Sequence, residues 1–193
     1  MTNKPRPTWQ DVPNRDLHGR EKLSFALGAA GVDAGGAVAF DCGASTGGFT
    51  RALLDAGVAR VYAVDAGFGQ LLGSLRQDPR VTNMERTNLA DARVPEAVGI
   101  VTLDLSYLSL ADALPQLHLD YDPGATLIAL VKPMFELHLA QLPDDQPSAL
   151  ADSLALVEAA AAGNGWQVTM SVESPIRGRA GALEGFVHAR RSP

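Results

Sequence analysis

Among 193 residues there is a single cysteine, and that shortage already narrows the chemistry. One thiol, Cys42, excludes an internal disulfide and any cysteine-cluster metal site. The four histidines at 18, 118, 138 and 188 show no ligand spacing, so no metal is expected. No apolar run approaches the ~20 residues that span a bilayer, and no hydrophobic signal segment opens the chain. Those absences predict a cytoplasmic protein without a membrane partner. Basic residues are outnumbered by acidic ones, 16 to 22, and the pI is about 5.1. A general basic footprint for tight, nonspecific nucleic-acid binding is therefore missing. Lysine is scarcer still: the 16 basic residues divide into 13 arginines and 3 lysines, Lys4, Lys22 and Lys132. Hydrophobic residues make up 46%, enough for one well-buried core in a chain short for two domains.

What the chain does have is a glycine loop. Residues 37 to 50 read Ala-Val-Ala-Phe-Asp-Cys-Gly-Ala-Ser-Thr-Gly-Gly-Phe-Thr: an apolar run ending in Asp41, a turn with Gly43, Gly47 and Gly48, then the start of a helical pattern. Glycines suit such a turn because it is tight and because a cofactor must reach the backbone without meeting a Cβ. The spacing Gly-x-x-x-Gly-Gly is neither Gly-x-Gly-x-x-Gly nor a P-loop, since no Lys-Ser/Thr follows. A phosphate cradle is disfavoured, which leaves the loop type of S-adenosylmethionine (AdoMet) enzymes. Such a loop wants a second acid about 20 residues on for the ribose hydroxyls. Asp65 supplies it, ending the apolar run Arg-Val-Tyr-Ala-Val-Asp. The alternative is a glycine turn that binds nothing.

Apolar runs alternate with helical patterns along the rest of the chain. Strands are expected at 37–42, 60–65, 81–85, 98–104 and 125–131, and helices at 19–31, 47–57, 68–77, 109–117 and 149–162. That alternation predicts a parallel sheet covered by helices on both faces. Two last strands, 166–172 and 183–189, have no helix between them and predict an antiparallel hairpin that completes seven strands. Residues 1–16, with Pro5, Pro7 and Pro13 among polar residues, predict a flexible N-terminal arm. Residues 17–193 then form the single domain.

In such sheets chemistry gathers at the carboxyl ends of the strands. Asp104 ends Gly-Ile-Val-Thr-Leu-Asp, Lys132 ends Ala-Thr-Leu-Ile-Ala-Leu-Val-Lys, and Glu184 opens the last strand. Each alone is equally well explained as a chain emerging into water.

The longer string Asp41-Cys-Gly-Ala-Ser-Thr-Gly-Gly-Phe-Thr50, with Val-Tyr-Ala-Val-Asp-Ala-Gly-Phe-Gly-Gln-Leu (61–71) and Leu-Arg-Gln-Asp-Pro-Arg-Val (75–81), resembles the TlyA (hemolysin-type) branch of the FtsJ-like ribose methyltransferases. The resemblance spans roughly residues 17 to 190. It implies a Rossmann-like α/β fold, AdoMet as cofactor, and a Lys-Asp-Lys-Glu catalytic tetrad mapping onto Lys22, Asp104, Lys132 and Glu184. It also implies cofactor contacts from Asp41, Gly43, Ala44, Ser45, Thr46, Gly47, Gly48 and Asp104, from Asp65 and Ala66, and from Arg86, Thr87 and Asn88 near the adenine. Phe49 is either a further contact or a core aromatic in the first helical turn. The family's Ser-Arg-Gly-Gly-x-Lys-Leu stands here as Leu17-His-Gly-Arg-Glu-Lys-Leu23, and its Gly-Asn-x-Glu as Gly181-Ala-Leu-Glu184.

The implied reaction moves a methyl group to a ribose 2′-hydroxyl of RNA, ribosomal RNA being the partner that the family implies. It calls for a group that can accept a proton near that hydroxyl. Lysine can do so and arginine cannot, because arginine does not deprotonate in proteins. Methylation at C5 of a pyrimidine needs a cysteine nucleophile, and Cys42 reads instead as a small buried filler. Two rival readings remain: an AdoMet-binding paralogue acting on a small molecule or on nothing, and a nicotinamide dehydrogenase, which the loop spacing disfavours. The family's small RNA-binding domain has no counterpart in this sequence, so RNA is expected to bind weakly, at a local positive edge built from Arg20, Arg177 and Arg179.

Overall fold

The computed structural model describes residues 15–192. The arm expected over 1–16 therefore lies outside the described residues, except for its last two, which begin the first helix, α1 (Arg15–Ala30). Strands β1 (Val38–Cys42), β2 (Arg60–Asp65), β3 (Val81–Glu85), β4 (Val98–Leu103) and β5 (Tyr121–Val131) run parallel. β6 (Trp166–Glu173) and β7 (Gly185–Arg191) follow, and β7 runs against both of its neighbours. The order across the sheet is β3-β2-β1-β4-β5-β7-β6. The expected seven strands and closing antiparallel pair are all present.

Successive side chains of a strand face opposite sides, so a strand covered on both faces has no polar side. β5 illustrates this. Leu127, Ala129 and Val131 join one core with α4 (Leu110–Ala113) and α6 (Gln146–Gly163). Ile128 and Leu130 join a second core with α1, α2 (Gly48–Asp55) and α3 (Gly73–Arg76). α6 starts where the Asp145 carboxylate accepts the Ser148 N–H at 3.0 Å, with Pro147 in its first turn. It buries Ala149, Leu150, Ser153, Val157 and Ala161, a stripe at helical spacing. No helix among the described residues is long and apolar enough to cross a membrane.

The short helices differ from expectation for identifiable reasons. Where 68–77 promises a helix, only Gly73–Arg76 forms one. Ahead of it the chain is a loop in which the Glu85 carboxylate accepts the N–H groups of Gln70 and Leu71 at 2.8 and 3.0 Å. The 109–117 segment shrinks to α4 and a 3-10 turn over Leu114–Gln116, because Pro115 has no N–H to continue an α-helix. β5 starts at Tyr121, ahead of the expected 125, passing through Pro123 and the positive φ of Gly124. One unexpected helical turn, α5 (Pro133–Glu136), follows Lys132 directly.

Asp41 is the second-last residue of β1 and is fully buried. Its oxygens accept hydrogen bonds from the hydroxyls of Thr50 on α2 (2.6 Å) and Thr102 on β4 (2.8 Å). Burial pushes its carboxyl up to about 6, and nearby Asp104 adds to that, against the lowering effect of the two threonines. The folded state thus holds this proton more tightly than the unfolded chain, whose value is near 3.8. The associated stability is complete below that value and is lost as pH rises through about 6, an effect of about 3 kcal/mol. Asp41→Asn, which keeps the shape and removes the charge, should therefore gain on the wild type by about that amount between pH 4 and pH 7. Urea unfolding at the two pH values measures it, and a pH-independent difference would assign the effect elsewhere.

Candidate active site

The strand order sets the carboxyl ends of β1, β4 and β5 side by side, where open α/β sheets hold their ligands. A cavity of about 440 Å³ opens there. Lys22 reaches it from α1, Gly43 to Thr46 from the loop after β1, Gly48 and Phe49 from the start of α2, Asp104 and Lys132 from the ends of β4 and β5, and Glu184 from the residue before β7. The structure thus brings all four residues of the tetrad that the resemblance implies to one cavity, which the glycine loop also lines.

The four charges are paired. Lys22 Nζ donates to Glu184 Oε2 at 2.5 Å, and both side chains are about nine-tenths buried. Lys132 Nζ lies 2.5 Å from Asp104 Oδ1, an ion contact whose angles fall outside a hydrogen bond. The hydrogen bonds of Lys132 go to the Leu105 carbonyl (3.0 Å) and the Ser106 hydroxyl (2.9 Å). Glu184 also depends on a glycine: a Cβ on Gly178 would stand 1.9 Å from its Oε1. The glycine loop is equally tight. Gly43 has φ +85 and presses on the Asp104 carbonyl, which a Cβ would meet at 2.3 Å.

Several expected residues sit elsewhere. Asp41 lies beneath the loop with both oxygens committed to threonines, so it supports the site from below. Asp65 braces the loop: its oxygens accept the N–H groups of Ser45 (2.8 Å) and Gly67 (2.7 Å). Phe49 is a core aromatic, packing on Phe186 with ring centroids 6.4 Å apart, and it also lines the cavity. Arg86 turns its guanidinium onto the Phe68 ring, 3.8 Å from the centroid, and does not border the cavity. Arg20 is held by Asp55 at 2.6 Å, whereas Arg177 and Arg179 line the cavity mouth. Cys42 is the buried filler expected: burial first, then the charges of Asp41 and Asp65, pushes its thiol up to about 12. Sequence reasoning missed Ser106 and Gly178. A hydroxyl two residues past the strand-end acid and a glycine between two arginines were the available signals.

A buried ion pair is most costly when half removed, because the remaining charge has no partner. Glu184→Ala should therefore lower stability by about 3–5 kcal/mol, while Lys22→Met combined with Glu184→Leu should lose far less. Urea unfolding of the three proteins decides it; equal losses would mean that the pair carries no mutual stabilisation.

A model of the FtsJ-like methyltransferase family matches residues 19–191. The chain is 42% identical over 180 residues to the 16S/23S rRNA (cytidine-2′-O)-methyltransferase TlyA of Mycobacterium tuberculosis, covering 89% of this chain and 67% of that protein. With the 23S rRNA (cytidine-2′-O)-methyltransferase TlyA of Campylobacter jejuni it shares 31% over 173 residues, 86% of this chain and 67% of the relative. A solved hemolysin-like protein from Streptococcus thermophilus superposes with a TM-score of 0.83 at 34% identity, covering 96% of this chain and 69% of the other. The chain thus spans about two thirds of the length of each of these three proteins. With a matching family model across nearly the whole domain and this level of identity, the chain belongs to the FtsJ-like methyltransferase family.

Proposed function

We propose that this protein is an AdoMet-dependent methyltransferase that acts on a ribose 2′-hydroxyl of ribosomal RNA. The observation that carries the reading is the meeting of two lysine–carboxylate pairs and a glycine loop at one cavity. The relatives that match over most of this chain act, by their names, on cytidine riboses of 16S and 23S rRNA.

The residues present fit the cofactor. The loop from Gly43 to Gly48 offers backbone rather than side chains, and it carries no lysine or arginine that a polyphosphate would require. Asp65 makes one hydrogen bond per carboxylate oxygen, and a carboxylate accepts about four, so it can also receive two ribose hydroxyls. Ala66, Thr87 and Asn88 stand at the neighbouring ends of β2 and β3, where the adenine would lie. When bound, AdoMet supplies a methyl group made electrophilic by its sulfonium.

The protein's own part is to hold the hydroxyl and take its proton. A neutral lysine amine has two N–H donors and one lone pair. The Leu105 carbonyl and the Ser106 hydroxyl accept two of the three N–H donors of the paired Lys132 ammonium, so loss of the third proton to solvent before the reaction would leave a lone pair for the proton of the hydroxyl. Asp104 then steadies the ammonium that forms. Glu184 fixes Lys22 in the lining of the same cavity, where a cation can orient the acceptor oxygen. A cysteine-based attack on a base is disfavoured by the buried, high-pKa thiol of Cys42. Arg177 and Arg179, at the mouth, are placed to meet RNA phosphates.

The test is transfer of labelled methyl from AdoMet to ribosomal RNA and intact subunits, with nucleoside analysis of the product; no 2′-O-methylated nucleoside would reject the reading. Position 132 separates a base from a simple positive charge. Lys132→Arg and Lys132→Ala should both lose on the order of 10² to 10⁴ in rate at nearly constant AdoMet affinity. An active Lys132→Arg enzyme would reduce Lys132 to an electrostatic role. Asp65→Ala should weaken AdoMet binding by about 1–3 kcal/mol in calorimetry, and unchanged binding would place the ribose elsewhere.

A further inference from the structure

We infer that the exposed stack of Phe68 and Arg86 is a docking platform for a nucleobase of the substrate RNA, a few nucleotides from the methylated ribose. This rests on the RNA reading above.

Phe68 is the most exposed large hydrophobic side chain among the described residues, at 66%. Burial does not explain it, and its loop is not loosely held. Gly67 donates to Asp65 and accepts from the Arg86 N–H at 2.9 Å. Thr87 N–H reaches the Asp65 carbonyl, and Glu85 takes the N–H groups of Gln70 and Leu71. Phe68 is therefore an aromatic ring fixed in place and presented to solvent. Arg86 adopts φ +57, a region that residues with side chains rarely occupy, and its guanidinium lies 3.8 Å from the Phe68 centroid.

The cation in this stack is unspent. No carboxylate lies within ion-pair distance of Arg86 among the described residues. Its neighbour Glu85 is engaged by Arg76 at 2.7 Å. An aromatic face beside a free guanidinium suits the π-face of any base together with an adjacent phosphate, the combination by which single-stranded nucleic acids are held.

Position favours a flanking nucleotide over the reacting one. Phe68 and Arg86 follow β2 and β3 on the same carboxyl edge that carries Asp104 and Lys132. β3 stands three strands from β4 and four from β5, which at the usual strand spacing is roughly 14–19 Å. Neither Phe68 nor Arg86 borders the cavity that contains Lys132. An RNA strand entering that cavity could thus lay a neighbouring base on the platform.

Two variants of the full chain test this. Phe68→Ala should raise the KM for ribosomal RNA roughly 5- to 100-fold, with kcat and the AdoMet Kd unchanged. Phe68→Trp places an indole on the platform. Its fluorescence, corrected for the two native tryptophans, should be quenched by a short single-stranded RNA of mixed sequence and not by S-adenosylhomocysteine. If Phe68→Ala weakens AdoMet binding and S-adenosylhomocysteine alone quenches the indole, the stack holds the cofactor's adenine and the proposal fails. If the wild type methylates ribosomal RNA while Phe68→Ala keeps its KM and the indole ignores RNA, the platform fails and the RNA reading stands. If the wild type neither methylates RNA nor quenches with it as Phe68→Trp, both fail together.

Discussion

A buried cation needs its counter-charge within reach, and that requirement ties the first helix of this protein to its last strand. Lys22 and Glu184 are 162 positions apart in sequence and form one buried contact. Two glycines make room for it. Gly178 leaves space for the Glu184 carboxylate. Gly19 lets α1 settle on the first turn of α2, where a Cβ would come 3.2 Å from the Cα of Gly48. Once α1 is seated in this way, His18, Gly19 and Lys22 become a wall of the cavity. Without the pair, the cavity would be a notch at the edge of a sheet. With it, α1 closes the notch beside the glycine loop, against Gly48.

The same logic of compensated charge runs through the site. Lys132 balances Asp104 as Lys22 balances Glu184, so the tetrad contributes no net charge to the cavity. What it contributes is direction: donors and acceptors already held in place before a substrate arrives, which is where electrostatic catalysis gains most. Ser106 and the Leu105 carbonyl extend that order by one layer. They fix the amine of Lys132 through atoms whose own positions are set by the turn between β4 and α4.

How much of this was legible in the sequence follows from the range of each interaction. The strands were legible because burial on both faces demands continuous apolar runs, and the site because a parallel sheet collects the residues that end those runs. The lengths of α3 and α4 were not. The loop before Gly73 is tied to β3 through the Glu85 carboxylate, and a contact of that kind leaves no trace in periodicity. Asp41 reads as a loop acid until Thr102, 61 residues away, closes over it. Arg86 reads as a cofactor neighbour until its side chain is found on Phe68. Arg20 reads as a free cation until Asp55 takes it. In each case the side chain's partner lies in another segment of the chain.

Those partners also decide what an acidic protein can offer to an anionic polymer. With a formal charge of −6, the chain as a whole repels RNA, and screening confines any attraction to within about 8 Å at physiological salt. Arg20, Arg60, Arg76 and Arg80 are each held by a carboxylate, and both site lysines are as well. Around the carboxyl edge of the sheet, that leaves Arg177 and Arg179 in the cavity lining, Arg86 on its aromatic ring, and Arg51, which donates to the Ser74 hydroxyl. So few open cations neutralise few phosphates, and the affinity of this domain for RNA should depend only shallowly on salt. Recognition must then come mainly from contacts that do not depend on net charge. Stacking on a fixed ring and the fit of one ribose between two paired lysines are contacts of that kind, and they act only at short range.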